Sequence, residues 1–170
     1  RAAQENSVLP FAQVLEAAGY LSAVMLLSGS ATIVRQPPRD AQASTLALSD
    51  LSYGTTAPDK TACQAALHTR LFRGRGTGQR EFIPVHRTVA EYLGARYLRS
   101  RIDAGLPASR VLALMAGEDG GIVPELRGLH AWLAAVASGE SRRALIERDP
   151  LGVVLNGDVR QFNRDEKLQV

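Results

Sequence analysis

"EFIPVHRTVAEYLGARYL", Glu81 to Leu98, changes its pattern within a few residues. Glu81 to Val85 alternates polar and apolar side chains, as a half-buried strand does. From Arg87 onward tyrosine, leucine, alanine and arginine recur at helical spacing. Thr88 followed three residues later by Glu91 is a capping-box pattern, predicting a helix that starts at the threonine. His86 then stands two residues before that start, beside unpaired amides and the positive end of the helix dipole, a place that favours an anion and phosphate above all. The imidazole has two readings there: a donor to a phosphate oxygen, or a ring packed on the strand and bonded to a carbonyl.

Working outward, "LFRGRGTGQREFIPV" (71–85) places two strand-like pieces around Gly74, Gly76 and Gly78, a hairpin with a loose tip. Pro84 cannot donate to a ladder and belongs at an edge or a strand's end. Upstream, "KTACQAALHTRLF" (60–72) reads as a helix capped by Asp59 or Thr61. "STLALSDL" (44–51) is a short strand leading into a turn, and "RQPPRDAQAS" (35–44) a polar loop. The first helix is predicted from about Val8 to Leu27, stopped by Gly29 and apolar around most of its circumference. The eighteen residues Ala17 to Val34 carry no formal charge, at the lower limit for a membrane span. Polar residues and Gly29 interrupt the run, which reads instead as a buried helix, a turn and a strand. Helices, a small strand, a helix, a basic hairpin and another helix together predict a winged-helix-like domain over residues 1–103.

Residues 104–170 change texture to short helices separated by Gly and Pro, predicting HEAT/ARM-like α-helical hairpins. Pro107 to Met115 is one helix, ended by "AGEDGG". Pro124 opens another, on which Leu126, Leu129, Leu133 and Val136 form a stripe. Ser141 to Arg148 is a third, ended by Asp149–Pro150, and Arg164 begins a last one. The predicted class is therefore mainly α with a small β-hairpin.

The chain has 170 residues and a net charge of +3, enough length for a core without disulfides. Its charge is uneven: Asp59 to Asp103 holds nine Arg/Lys against four Asp/Glu, or +5, while each flank comes to −1. Such a patch is either solvated surface or an attractor for phosphate and nucleic acid. Cys63 is the only cysteine, which excludes a disulfide framework within the chain and a thiolate metal cluster and fits a reducing cytoplasm. Cys63 and His68 lie about 140° apart around a helix, so they do not share a metal-binding face. His68 and His130 accompany no nucleophile elbow. His130 reads as a histidine at the core's edge, and Trp132 as core. No catalytic or metal site is expected.

"VHRTVAEYLGARYL" (85–98) resembles the end of the winged-helix domain of NACHT-type STAND signal-transduction NTPases. In that pattern an aromatic-rich strand ends in a histidine, then a threonine or serine, then a Glu-aromatic-hydrophobic-Ala run on the next helix. His86, Thr88, Glu91, Tyr92, Leu93 and Ala95 match. Pro84 replaces an aromatic, for which Phe82 substitutes, and Gly94 replaces the first alanine at about 1 kcal/mol in a helix interior. "VMLLSG", "LALSDL", "LRGLHAWLA" and "RDPLGVVLNGD" look like bacterial NACHT proteins with helical-repeat C-termini. The resemblance implies a role in signal transduction and bacterial defence in the cytoplasm. It implies that His86 contacts the β-phosphate of ADP and holds the closed state, with Thr88 and Glu91 supporting it. It implies ADP or ATP with magnesium in a full-length protein, an upstream NTPase domain as partner and an unknown trigger at the repeats.

Opening at Arg1, the chain reads as a piece of such a protein. "GRGTGQ" (74–79) has glycines but no P-loop lysine, so no cofactor and no ATP hydrolysis are expected of these residues alone. The rival reading is a DNA-binding winged helix, with Arg73, Arg75 and Arg80 on the backbone or minor groove and Lys60, Gln64, His68 and Arg70 on the recognition helix. Three alanines and Leu67 leave that helix thin in base-reading groups, and nucleic acid is not the expected partner, nor is a membrane. A helical interaction scaffold is the third reading.

Overall fold

A computed structural model describes residues 9–36, 44–53, 57–76, 80–168 and 170. The chain is mainly helical around one small sheet. The first helix, α1 (Phe11–Leu27), ends where glycine is needed: Gly29 sits at φ 66°. There the Gly29 amide donates to the Leu26 carbonyl at 3.1 Å and the Ser30 amide to the Met25 carbonyl at 3.0 Å, a Schellman close. Two short strands follow, β1 (Thr32–Val34) and β2 (Thr45–Ala47). Asp59 caps α2 (Lys60–Leu67), accepting from the Ala62 amide at 2.7 Å.

The predicted hairpin is β3 (Phe72–Arg75) and β4 (Glu81–Pro84); its expected tip at 77–79, with Gly78, lies outside the described residues. The hairpin does not stand alone. A four-stranded sheet forms in the order β2–β1–β4–β3, with β1 parallel to β2 and antiparallel to β4. Pro84 pairs only with Phe72, beyond the two residues of β4 that β1 reaches, so its missing N–H interrupts no central ladder. Then comes α3 (Arg87–Asp103), closed by Gly105 at φ 103°.

Helices α1 and α3 cross in backbone contact. A Cβ on Gly19 would lie 2.8 Å from the Leu93 carbonyl oxygen, and one on Gly94 would lie 3.2 Å from the Ala23 nitrogen and 3.2 Å from Leu129 Cδ1. Gly94 is therefore a packing requirement as well as a propensity cost. On one side of the crossing Leu21, Ile33, Leu48, Leu67, Phe72 and Phe82 form a core under the sheet. On the other, Leu98, Val111, Met115, Leu129, Leu133, Leu145 and Ile146 form a second, and Tyr97 and Leu26 border both.

That second core draws on short helices, α4 (Ala108–Met115), α5 (Arg127–Val136), α6 (Gly139–Arg148) and α7 (Pro150–Asn156), while a last one, α8 (Arg164–Lys167), buries no residue. The stripe Leu126, Leu129 and Leu133 is buried as its spacing predicts, with Val136 half-buried. Asp149–Pro150 ends α6 and also starts α7: the Asp149 carboxylate accepts from the Gly152 amide at 3.0 Å, with Pro150 at the first helical position. Among the described residues no helix is long and apolar enough to cross a membrane.

His130 sits deeper than its sequence suggests, with no surface exposed and no regular hydrogen bond at either ring nitrogen. Burial holds its pKa down at about 4, against smaller upward pulls from Asp149 and the Leu145 backbone. The unfolded ring titrates near 6.5. The unfolded chain thus takes the proton first, and stability is full above that value and falls as pH drops toward 4.

Two outcomes follow from this packing. Gly19→Ala forces a methyl against the Leu93 carbonyl and lowers stability by about 2 kcal/mol in urea denaturation, although alanine is the better helix former. His130→Leu removes roughly 2 kcal/mol of the stability difference between about pH 8 and about pH 5. Wild-type pH dependence in His130→Leu would show that other groups carry it.

Candidate functional site

α3 starts two positions earlier than its capping-box pattern predicts, capped at residue 86 rather than 88. Its N-cap is His86, with φ −134° and ψ 132°, and no side chain caps the helix. The His86 carbonyl already accepts from the Ala90 amide at 3.2 Å. Thr88 is thus inside the first turn, and the expected capping box of Thr88 and Glu91 does not form. The reason is tertiary. Glu91 is buried where α5 crosses α3, so close that a Cβ on Gly128 would clash with its carboxylate. Its carboxylate is taken by Arg87, Nε to Oε1 at 2.8 Å, and Arg87 also donates to the Glu125 carbonyl. Carboxylate and guanidinium pin the start of α3 to the start of α5 instead of closing the helix end.

The consequence is an open N-terminus. The amides of Arg87, Thr88 and Val89 have no hydrogen-bond acceptor among the described residues, and His86 is exposed beside them. Arg87, Thr88 and Glu91 also line a cleft of 770 Å³ shared with Arg127, Trp132 and Asn156. Unanswered amides, a dipole's positive end and an exposed imidazole suit an anionic oxygen.

The residues of the rival reading lie on the β3–β4 hairpin and on and just after α2. Arg73 and Arg75 are exposed on β3, a sheet edge, and Arg80 is exposed before β4. The would-be recognition helix α2 has eight residues and buries Ala62, Cys63, Ala66 and Leu67. Lys60 and Arg70 are exposed, Gln64 is half-buried, and His68 lies past the helix end, where its Nε2 meets the Arg35 guanidinium. Arg35 also lies over the Phe82 ring, 5.6 Å from its centroid. Sequence reasoning did not single out Arg35, which only the β1–β4 pairing brings to Phe82. Cys63 is fully buried, and desolvation pushes its thiol up to about 12, so it is not a reactive thiolate. Among the described residues no group of three or more His, Cys, Asp or Glu side chains is placed to hold a metal.

No known family, curated protein or solved structure matches this chain. Its geometry carries the functional argument.

With a short, alanine-rich α2, duplex DNA binding is expected to be weak, independent of sequence and steeply salt-dependent. Electrophoretic mobility shifts over a salt series check this. Nanomolar binding to one defined site at physiological salt, abolished by Arg73→Ala with Arg75→Ala, would establish a DNA reader instead.

Proposed function

We propose that these residues are a non-catalytic regulatory portion of a NACHT-type STAND NTPase acting in the cytoplasm. In this reading an upstream NTPase domain holds ADP or ATP with magnesium, the winged-helix-like half presents His86 to the ADP phosphate, and the helical half connects to a sensor of an unidentified trigger. The observation that carries it is the placement of His86 as the exposed cap residue of a 17-residue helix whose first amides are unanswered. The likeness of 85–98 to the family's winged-helix end supplies the identity of the anion.

Each residue has a physical part. His86 donates a hydrogen bond to a phosphate oxygen. The amides of Arg87, Thr88 and Val89 add partial positive charge at the same place. Glu91 holds Arg87, and through it the start of α3, against α5. Thr88 stands in the first turn rather than supporting as a cap. A contact made only in the ADP-bound closed form stabilises that form over the open one by its own free energy.

His86→Ala is expected to speed ADP release from the full-length protein by about ten- to a hundredfold, the scale of one charge-assisted hydrogen bond. Stopped-flow release of a fluorescent ADP analogue measures it. Equal off-rates in two folded proteins would leave His86 a structural residue.

A further inference from the structure

A second cleft, of 580 Å³, opens between the later turns of α3 and the corner where α5 meets α6. It is separate from His86, about 15 Å farther along α3 at 1.5 Å per residue. Tyr92, Trp132, Arg96, Arg99, Asp103 and Asp158 give it its chemistry. The Tyr92 and Trp132 rings meet edge to face with centroids 5.3 Å apart, and Tyr92 remains 37% exposed. That leaves an aromatic surface toward the cleft, a stacking platform for a planar ring.

The charged groups differ in how far the fold commits them. Arg142, in the wall, is spent on the fold: it pairs with Glu166 at 2.9 Å and reaches the Ala134 and Ala135 carbonyls at 3.2 and 3.3 Å. Arg99 pairs with Asp103 at 3.1 Å, but with side chains 44% and 56% exposed the pair is weak and exchangeable. Arg96 has the Tyr92 ring 6.0 Å from its guanidinium carbon and no ion pair with any described residue. Arg96 and Arg99 stand three apart on one helical face, the spacing at which two guanidinium groups can close on one tetrahedral anion. Asp158 uses Oδ1 on the Arg160 amide at 3.1 Å, which leaves its other oxygen for a hydroxyl.

We propose that this cleft binds a purine nucleoside monophosphate as a regulatory ligand. The base lies against Tyr92 and Trp132, the phosphate between Arg96 and Arg99, and the sugar hydroxyls donate to Asp103 and Asp158. The volume lies in the range of small-molecule sites. The two carboxylates make the site selective, because they repel the extra charge of a triphosphate while accepting from a sugar. The ligand would touch α3 on one side and α5, α6 and the segment after α7 on the other, and so bridge elements from both halves of the chain.

Trp132 is the only tryptophan in the chain and lines both this cleft and the one at the start of α3, so its fluorescence reports binding beside it and the variants below tell the two clefts apart. Titration of the chain with AMP and GMP, excited at the red edge of indole absorption, is expected to give a saturable change in emission. Adenosine or inorganic phosphate alone should bind at least about tenfold more weakly, and Arg96→Gln or Arg99→Gln should weaken AMP by about tenfold. His86→Ala should bind as wild type does. Absence of a saturable change in the folded protein, or one indifferent to both arginine variants, would overturn the proposal. A change lost in His86→Ala would also overturn it, placing the nucleotide at the start of α3. An ADP off-rate insensitive to His86→Ala, with AMP still bound beside Trp132, would sink the ADP reading and leave this one standing.

Discussion

Gly19 and Gly94 let two 17-residue helices touch backbone to backbone, and the groups carried on α3 take their positions from that contact. Neither glycine stands at a turn. Their small size brings α1 close enough for Ala23 to meet Gly94 and for Tyr20 to meet Tyr97, ring centroids 5.4 Å apart. Because interiors are close-packed, one added methyl at such a crossing is accommodated only by moving a helix. The sheet core and the helical core lie on opposite sides of it, so the crossing also fixes how the two halves meet.

α3 is consequently more than a connector. Its start carries His86 and open amides, its second turn buries Glu91 against Gly128 and presents Tyr92, and the turns after it present Arg96 and Arg99 to a second cleft. An unbroken helix transmits a displacement at one end to the other as rigid-body motion. The proposed phosphate contact at His86 and the proposed Arg96–Arg99 cleft thus share one helix, held near its centre by α1 and α5.

Local signals were legible in the sequence; contacts between distant segments were not. Gly29 as a stop, Asp59 as a cap and the hairpin around Gly74 and Gly76 each follow from a few neighbouring residues. The pairing of β1 with β2 and β4 depends on chain folding back across long separations, and no short-range pattern announces it. Thr88 and Glu91 have the spacing of a capping box, but α5 buries the glutamate and Arg87 claims it. A true capping box forms instead at Asn163 and Glu166, whose carboxylate accepts from the Asn163 amide at 2.8 Å while also taking Arg142 at 2.9 Å, so the ion pair there leaves the cap intact. At Asp149–Pro150 the sequence showed a stop and concealed a start, since the same dipeptide serves both. For the candidate sites, the exposed position of His86 between β4 and α3 was legible as a strand-to-helix joint. The Arg96–Arg99 cleft was not, because half of its wall comes from residues thirty or more positions away.

β3 is an edge strand, and an edge offers unpaired amides and carbonyls to any passing chain. Along it the exposed side chains are Arg73 and Arg75, on either side of Gly74. Two guanidinium groups on a four-residue edge make it costly for a second copy to lay down its own β3, since like charges would face each other at strand spacing. The arginines that first suggest a nucleic-acid contact thus have a sufficient reason to be there without one: they keep the sheet from growing.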